Sequence, residues 1–331
     1  VIAENHVGHQ AAWHEWRAAR SGHRMHHAWM LVGLEGLGKA GFARAAAAEL
    51  VAEPGVSQPP TDRHPDILWL TPLPATDDDV KKRDDGRPYA TKRNISVDQV
   101  RAMQRRLITR PTLGARRAVI IDAADVLEKS SANALLKSLE EPPQGTFFLL
   151  VAHQPGRLLP TIRSRCQVLR FRPLDPAEMG AALDAGAPGL DAITRQAAIA
   201  VGAGAPGAAI AFAEQNLGRV WQIMRQIVTH GDHDLALRGE LSATIGPRPD
   251  RDRQMAALTA ARMVLVDAMA DTRSARYPAL ADAHAALVVL SREAPIYNYD
   301  AGLLMLEIGA SLASVAGASV AGPSAAGAGV A

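Results

Sequence analysis

A chain of 331 residues is long for one hydrophobic core and implies two or three domains, and with 48% hydrophobic but only 4% aromatic residues those cores must be built from Ala, Leu, Val and Ile, a composition that favours helices. A net charge of +2 excludes a chain that grips nucleic acid through overall charge, so any basic surface is local. The lone Cys166 excludes an intrachain disulfide framework or a Cys-rich zinc site, and no apolar run of about twenty residues offers a membrane span, so a reducing, cytoplasmic setting is expected.

Residues 1–30 read as a polar helix whose apolar positions are Val7, Ala11 or Ala12, and Trp16. His6, His9, His14, His23, His26 and His27 crowd this segment. Histidines at i and i+3 can share a metal ion, but no cysteine or acidic cluster is set among them. They are expected to be solvated surface side chains, with no metal.

Trp29-Met30-Leu31-Val32 is a short strand that runs into Gly33-Leu34-Glu35-Gly36-Leu37-Gly38-Lys39-Ala40, followed by an Ala-rich helix through Leu50. This is the P-loop spacing in its required context, strand before and helix after. Gly33, Gly36 and Gly38 let backbone N–H groups converge on phosphate oxygens, and Lys39 reaches the outer phosphates. Ala40 stands where a P-loop supplies the hydroxyl that ligates magnesium. ATP, ADP or magnesium is therefore expected to bind weakly or not at all.

Residues 51–95 are irregular. Asp77-Asp78-Asp79 and Lys81-Lys82-Arg83 lack apolar periodicity and read as a mobile surface insertion, with Ile67–Leu70 inside it as a core strand. Ser96-Val97-Asp98-Gln99 has the form of a capping box, and Val97, Val100, Met103 and Leu107 form the stripe of the helix behind it. Lys92, Arg93, Arg101, Arg105, Arg106, Arg110, Arg116 and Arg117 stand against the single acid Asp98. Such a stripe could track DNA phosphates, Arg101, Arg105 and Arg106 being the candidates, or it could be a solvated face or face an acidic subunit.

The stretch 118–166 organises the rest. Ala118–Asp122 and Phe147–Ala152 are apolar runs of the kind buried on both faces of a parallel sheet. Between them, residues 132, 135, 136 and 139 have helical spacing, so strand, helix and strand make a right-handed crossover. Asp122 closes its strand at the end where ligands of open α/β sheets bind, and reads as the Walker B carboxylate. The position beside it is Ala123, not the Glu that polarises an attacking water. Asp125 is expected to cap the next helix or pair with a basic neighbour. Ser164-Arg165-Cys166 is expected just after a core strand at the domain edge.

Asp175-Pro176-Ala177-Glu178 is a helix start. Helices near 176–184, 190–201 and 206–216 would form a small lid domain, and longer helices follow with breaks at Gly231, Gly246-Pro247 and Pro295. Residues 316–331 carry no charge and are expected to be a disordered tail. The expected divisions are 1–173, an α/β P-loop domain with a parallel sheet; 174–216, the helical lid; 217–315, an all-α domain; and 316–331.

These motifs together resemble a known family. His27-Ala28, the P-loop, Ile95–Asp98, Asp122–Asp125, Asn133–Pro143 with its Leu-Glu-Glu-Pro-Pro run, and Ser164-Arg165-Cys166 look like the clamp-loader subunits of bacterial DNA polymerase III. The resemblance implies an AAA+ fold and a C-terminal helical collar that holds subunits together. It also implies that Ser164 and Arg165 serve another subunit's ATP site, Arg165 as an arginine finger in trans to a gamma/tau neighbour. The implied partners are gamma/tau, the delta subunit, the sliding clamp and primer–template DNA. Active members carry Lys-Thr in the P-loop, an Asp-Glu pair, a polar sensor residue where Ala152-His153 stand, and an arginine where Gly207 stands. The four-cysteine zinc module of many members has no counterpart, so no zinc is expected. The alternative is an active AAA+ ATPase in which Asp125 or His153 replaces the missing groups. A P-loop small-molecule kinase fits neither the triplet nor the helical second half.

Overall fold

The computed structural model describes residues 8–22, 25–270, 275–297 and 299–317, and its contacts divide the chain into two compact units at Leu174/Asp175. In the first unit β1 (Ala28–Val32), β2 (Ile67–Leu70), β3 (Arg117–Asp122), β4 (Thr146–Ala152) and β5 (Gln167–Arg170) form one parallel sheet in the order β2-β3-β4-β1-β5. Its helices are α1 (Gln10–Ser21), α2 (Lys39–Val51), α3 (Asp77–Asp84), α4 (Val97–Leu107), α5 (Lys129–Glu140) and the short α6 (Pro160–Arg163).

The near-continuous apolar strands are explained by burial on both faces. Met30, Val119, Ile121, Phe148 and Leu150 share a core with Val100 and Met103 of α4 and Leu135 and Leu139 of α5. The alternate residues Trp29, Leu31, Ile120 and Leu149 are equally buried, on the face covered by α2. The β3–α5–β4 crossover stands as expected, with β3 and β4 paired in parallel. The capping box at Ser96 and Gln99 is also present.

Several expectations are corrected. The N-terminal helix begins only at Gln10, and Val7, His6 and His23 lie outside the described residues. Its buried face is Ala12, Trp13 and Trp16, so Ala12 is the buried one of the two alanines and Trp13 joins the stripe. His9 is buried rather than solvated, with Nε2 2.8 Å from the Leu37 carbonyl, and His27 Nε2 lies 2.8 Å from the Leu139 carbonyl.

The acidic and basic runs at 77–83 form α3 rather than an irregular insertion. Thr76 caps it by accepting from the Asp79 N–H, and Asp79 in turn accepts from the Thr76 hydroxyl at 2.7 Å and the Ala90 N–H at 3.1 Å. Three aspartates in the first turn and Lys81, Lys82 and Arg83 in the last complement the helix dipole. An eight-residue helix secured by its ends needs no apolar stripe, so periodicity does not reveal it.

Arg117 leaves the basic stripe altogether. It is buried at the start of β3, donates to the carbonyls of Arg106, Thr109 and Arg110 at the end of α4, and lies 3.5 Å from Asp66. Asp66, 1% exposed, also accepts from the N–H groups of Thr112 and Leu113 at 2.7 and 2.8 Å. One buried pair thus closes α4 and fixes the loop that leads into β3.

The second unit is all helical: α7 (Pro176–Gly186), α8 (Ala192–Gly202), α9 (Pro206–Glu214), α10 (Gly218–His230), α11 (Ala236–Ile245), α12 (Arg251–Ala268), α13 (Tyr277–Tyr297) and α14 (Ala301–Gly317). Asp175 and Glu178 form the capping box of α7, as the Asp-Pro-Ala-Glu start implies. Helix α8 packs on α9 and also on α10 and α12. Gly231 and Gly246 end helices as expected, but Pro295 does not: α13 continues through it to Tyr297, which puts the proline in the last turn. Ala316 and Gly317 belong to α14, and the remainder of the expected tail lies outside the described residues.

Asp66→Ala would leave the Arg117 guanidinium buried without a counter-charge and two N–H groups without an acceptor. Denaturant titration is expected to show a loss of about 3–5 kcal/mol. A loss below about 1 kcal/mol would show that the pair does not hold this corner.

Candidate functional site

The candidate site lies at the carboxyl ends of the three central strands. Val32 is paired with Ala152 and Asp122 with Val151, so β1, β4 and β3 end almost flush and their following residues meet. Gly33 continues β1 through an N–H to the Ala152 carbonyl. A Cβ at Gly33 would come 2.7 Å from the Phe171 carbonyl and 2.9 Å from Leu37, so only glycine fits. Gly38 (φ +79°) precedes α2 in the left-handed region, which is why the turn into the helix needs glycine there too.

The loop is anchored by packing that the sequence reading missed. Leu37 is buried, and its carbonyl lies against His9. Around it the scarce aromatic residues are concentrated: Phe42 contacts Trp13, Trp16 and Phe171 at centroid distances of 4.2, 6.3 and 5.1 Å, and Trp16 meets Trp29 at 5.4 Å. The available signal was the scarcity of these residues combined with the i, i+3 spacing of Trp13 and Trp16.

Lys39 is 2% exposed and turns back on its own loop, where its ammonium donates to the carbonyls of Gly33, at 2.7 Å, and Leu34. Burial pushes its pKa down to about 8, against the opposing pull of Asp122, Asp125 and Glu35. Burial likewise raises the Asp122 carboxyl above its ordinary range, while His153 and Lys39 act in the opposite direction. Among the described residues Asp125 neither caps the following helix nor forms a close ion pair, although its charge acts on Lys39. Its two carboxylate oxygens accept from the N–H groups of His153 and Gln154 at 3.0 and 3.2 Å, which pins the loop after β4. Nδ1 of His153 is buried with no hydrogen-bond partner among the described residues. Ala40 opens α2 beside Lys39, and Ala123 follows Asp122, so each contributes a methyl group at this edge.

The Ser-Arg-Cys triplet precedes a strand rather than following one. It sits between α6 and β5, a strand absent from the sequence reading. Ile162 is buried beneath it, and burial pushes the Cys166 thiol up to about 12, an unreactive packing group. The Ser164 hydroxyl donates to the Thr161 carbonyl. The Arg165 guanidinium donates to the same carbonyl at 2.9 Å and lies 2.6 Å from the Glu140 carboxylate, its side chain 35% exposed. Glu140 belongs to the Leu-Glu-Glu-Pro-Pro run, so the two most specific motifs of the sequence touch.

The candidate DNA-contacting arginines do not share one face. Arg101 and Arg105 border a groove of about 450 Å³ with Lys137 and the exposed Ile108, while Arg106 bonds the Pro65 carbonyl beside a different groove. No metal-holding group of His, Cys, Asp and Glu occurs among the described residues, and no described helix is long and apolar enough to cross a membrane.

A five-stranded parallel sheet in this order with a P-loop after β1 defines a P-loop protein of the AAA+ class. A gamma-subunit-related protein of DNA polymerase III from Thermotoga maritima has the same fold, with a TM-score of 0.50 and 17% identity over 91% of this chain and 98% of that one. A family model described as DNA polymerase III, delta subunit, matches residues 8–175. The chain belongs to that family, in its delta-prime branch. It is 34% identical to DNA polymerase III subunit delta' of Pseudomonas aeruginosa over 50% of this chain and 48% of that protein, and 30% identical to the Escherichia coli subunit delta' over 60% and 57%. The gamma/tau subunit of Mycobacterium tuberculosis is 32% identical over 48% of this chain and 27% of its own. The chain thus spans about half the length of the curated delta' relatives it matches.

The depressed Lys39 pKa has a consequence for stability. Below about pH 8 the amine is charged in both folded and unfolded states. Between there and the ordinary lysine range only the unfolded chain holds the proton, so the unfolding free energy rises with pH. Denaturation at about pH 7 and about pH 9.5 should show wild type gaining stability relative to Lys39→Met. Parallel curves for the two proteins would mean that Lys39 keeps its ordinary pKa.

Proposed function

We propose that this chain is a catalytically silent delta-prime subunit of the bacterial clamp loader, which helps load the sliding clamp in DNA replication. The observation that carries the reading is the pair of methyl groups at Ala40 and Ala123. A magnesium ion here would lack the P-loop hydroxyl, and an attacking water would lack its polarising carboxylate. The alternative of an active ATPase would rest on His153 or on Asp125, whose two oxygens each accept a backbone N–H. Gly207, in the first turn of α9, offers no third contact to a triphosphate.

In this reading Arg165 acts in trans. A guanidinium presented to a neighbouring gamma/tau subunit neutralises charge on the transferring phosphoryl group, an effect worth about a thousandfold or more in rate. Its bond to Glu140 is half-exposed and worth at most about 1 kcal/mol, so a triphosphate can capture the guanidinium. Residues 174–216 would be the lid and 217–315 the collar that meets gamma/tau and delta. The collar role is supported by exposed Leu235, Val289, Leu303 and Leu306 around a cavity of about 810 Å³ between α11, α13 and α14. Arg101 and Arg105, on one side of α4, would contact primer–template phosphates.

Arg165→Ala is expected to leave assembly with gamma/tau and delta intact, as judged by gel filtration, and to reduce sharply the DNA-stimulated ATP turnover of the reconstituted complex. The wild-type chain alone is expected to show no magnesium-dependent turnover. Unchanged turnover of the complex would remove the finger role, and steady hydrolysis by the isolated chain would remove the silent site. Arg105→Glu should weaken DNA binding by the complex evenly across sequences and lower the salt slope by about one unit. An unaltered slope would assign that arginine to solvent.

A further inference from the structure

β2 is an edge strand with an open side. Its register on β3, Ile67 opposite Ala118 and Trp69 opposite Ile120, with the Ala118 N–H bonded to the Asp66 carbonyl, turns that carbonyl and the backbone groups of residues 68 and 70 toward β3, while the Asp66 N–H donates to His64 Nδ1. Those of Ile67 and Trp69 therefore point outward. The Ile67 N–H is used by the His64 carbonyl in the preceding turn, which leaves the Ile67 carbonyl and both the N–H and carbonyl of Trp69 facing out of the sheet. Beyond this edge the strand opens onto a groove of about 520 Å³. Its walls include Leu73, 42% exposed, and Ala102, Met103 and Arg106 of α4.

The charges around the edge are lopsided. Arg63, its side chain 84% exposed, stands at the start of the strand. Arg106 flanks it on the α4 face, and the Arg44 guanidinium lies 5.2 Å from the Trp69 ring on the other. Asp62, 3.8 Å from Arg63, is the one carboxylate among the groove's lining residues. A short trough lined by both polar and apolar side chains, outward-facing backbone groups of an edge strand and three guanidiniums are the parts from which strand-addition sites are made.

The geometry points to β2 as a docking edge for an extended acidic peptide segment of a partner protein, which adds as a sixth strand. The backbone of the segment would bond Ile67 and Trp69. Alternate side chains would lie over Leu73 and Met103, and its carboxylates would meet Arg63, Arg106 and Arg44. The site is separate from the P-loop and from Arg165, and does not depend on the role proposed for either.

The test uses the full chain and a fluorescent peptide of alternating glutamate and valine long enough to span the strand. Binding by fluorescence polarisation is expected, at least about tenfold tighter than for the lysine–valine counterpart, and lost when the peptide amides are N-methylated. Arg63→Glu, a fully exposed change, should weaken it about tenfold. Hydrogen exchange should show the Trp69 N–H slowed by the peptide, with the Leu68 and Leu70 amides unaltered. The proposal is overturned if no binding occurs, if acidic and basic peptides bind alike, or if the peptide binds without protecting Trp69. It is equally overturned if Trp69 is already protected in the free chain by concentration-dependent pairing of two copies.

Discussion

The parallel pairing of β1 with β4, and of β4 with β3, is the constraint on which the rest of the first unit depends. Because Val32, Ala152 and Asp122 end their strands at almost one level, the P-loop, the Walker B position and His153 are brought to one edge by the sheet itself. Both faces of these strands are buried. Trp29, Leu31, Ile120 and Leu149 lie on one side, and Met30, Val119, Ile121 and Phe148 on the other. Burial of each side chain contributes about 1.5–3 kcal/mol, so hydrophobic packing secures the strands whose ladder hydrogen bonds set the level of the edge. Polar groups then act locally, as Asp125 does when it fixes the loop after β4.

The charged pairs sort by burial, and the sorting separates scaffold from moving parts. Asp66 and Arg117 are almost inaccessible and share five further backbone partners, so neither can be released without leaving a buried charge. Arg165 and Glu140 form a shorter contact, but water reaches both, and screening leaves the bond cheap to break. Distance alone would rank them in the opposite order. The exposed pair is the one that the role proposed for Arg165 requires, because that role needs a resting contact that is easily broken.

What was legible in the sequence was local. The strands at 28–32, 67–70, 117–122 and 146–152 are apolar runs, the P-loop is a contiguous spacing, and the helix starts at Ser96 and Asp175 carry their own caps. What was not legible depends on contacts made across the fold. β5 is only four residues with two exposed, too weak a pattern to stand out. Arg117 looks like one more surface base until β3 carries it under the end of α4. Asp125 looks like a helix cap until β4 brings two N–H groups to it from 28 and 29 residues away. α3 was hidden for the opposite reason: it is held by its ends, which periodicity does not sense.

The retention of an intact P-loop beside Ala40 and Ala123 follows from the same packing. Leu37 is a core residue, its carbonyl meets His9, and Phe171, whose carbonyl crowds Gly33, meets Phe42 of α2 edge to face. The loop is therefore the joint between α1, β1, α2 and the segment after β5, and a bulkier residue at position 33 would collide with backbone whether or not a nucleotide is ever bound. Lys39 finds acceptors within the loop itself, at the cost of a depressed pKa. The glycines and the lysine therefore have structural roles whether or not a nucleotide is hydrolysed, so an intact phosphate cradle here does not by itself argue for turnover.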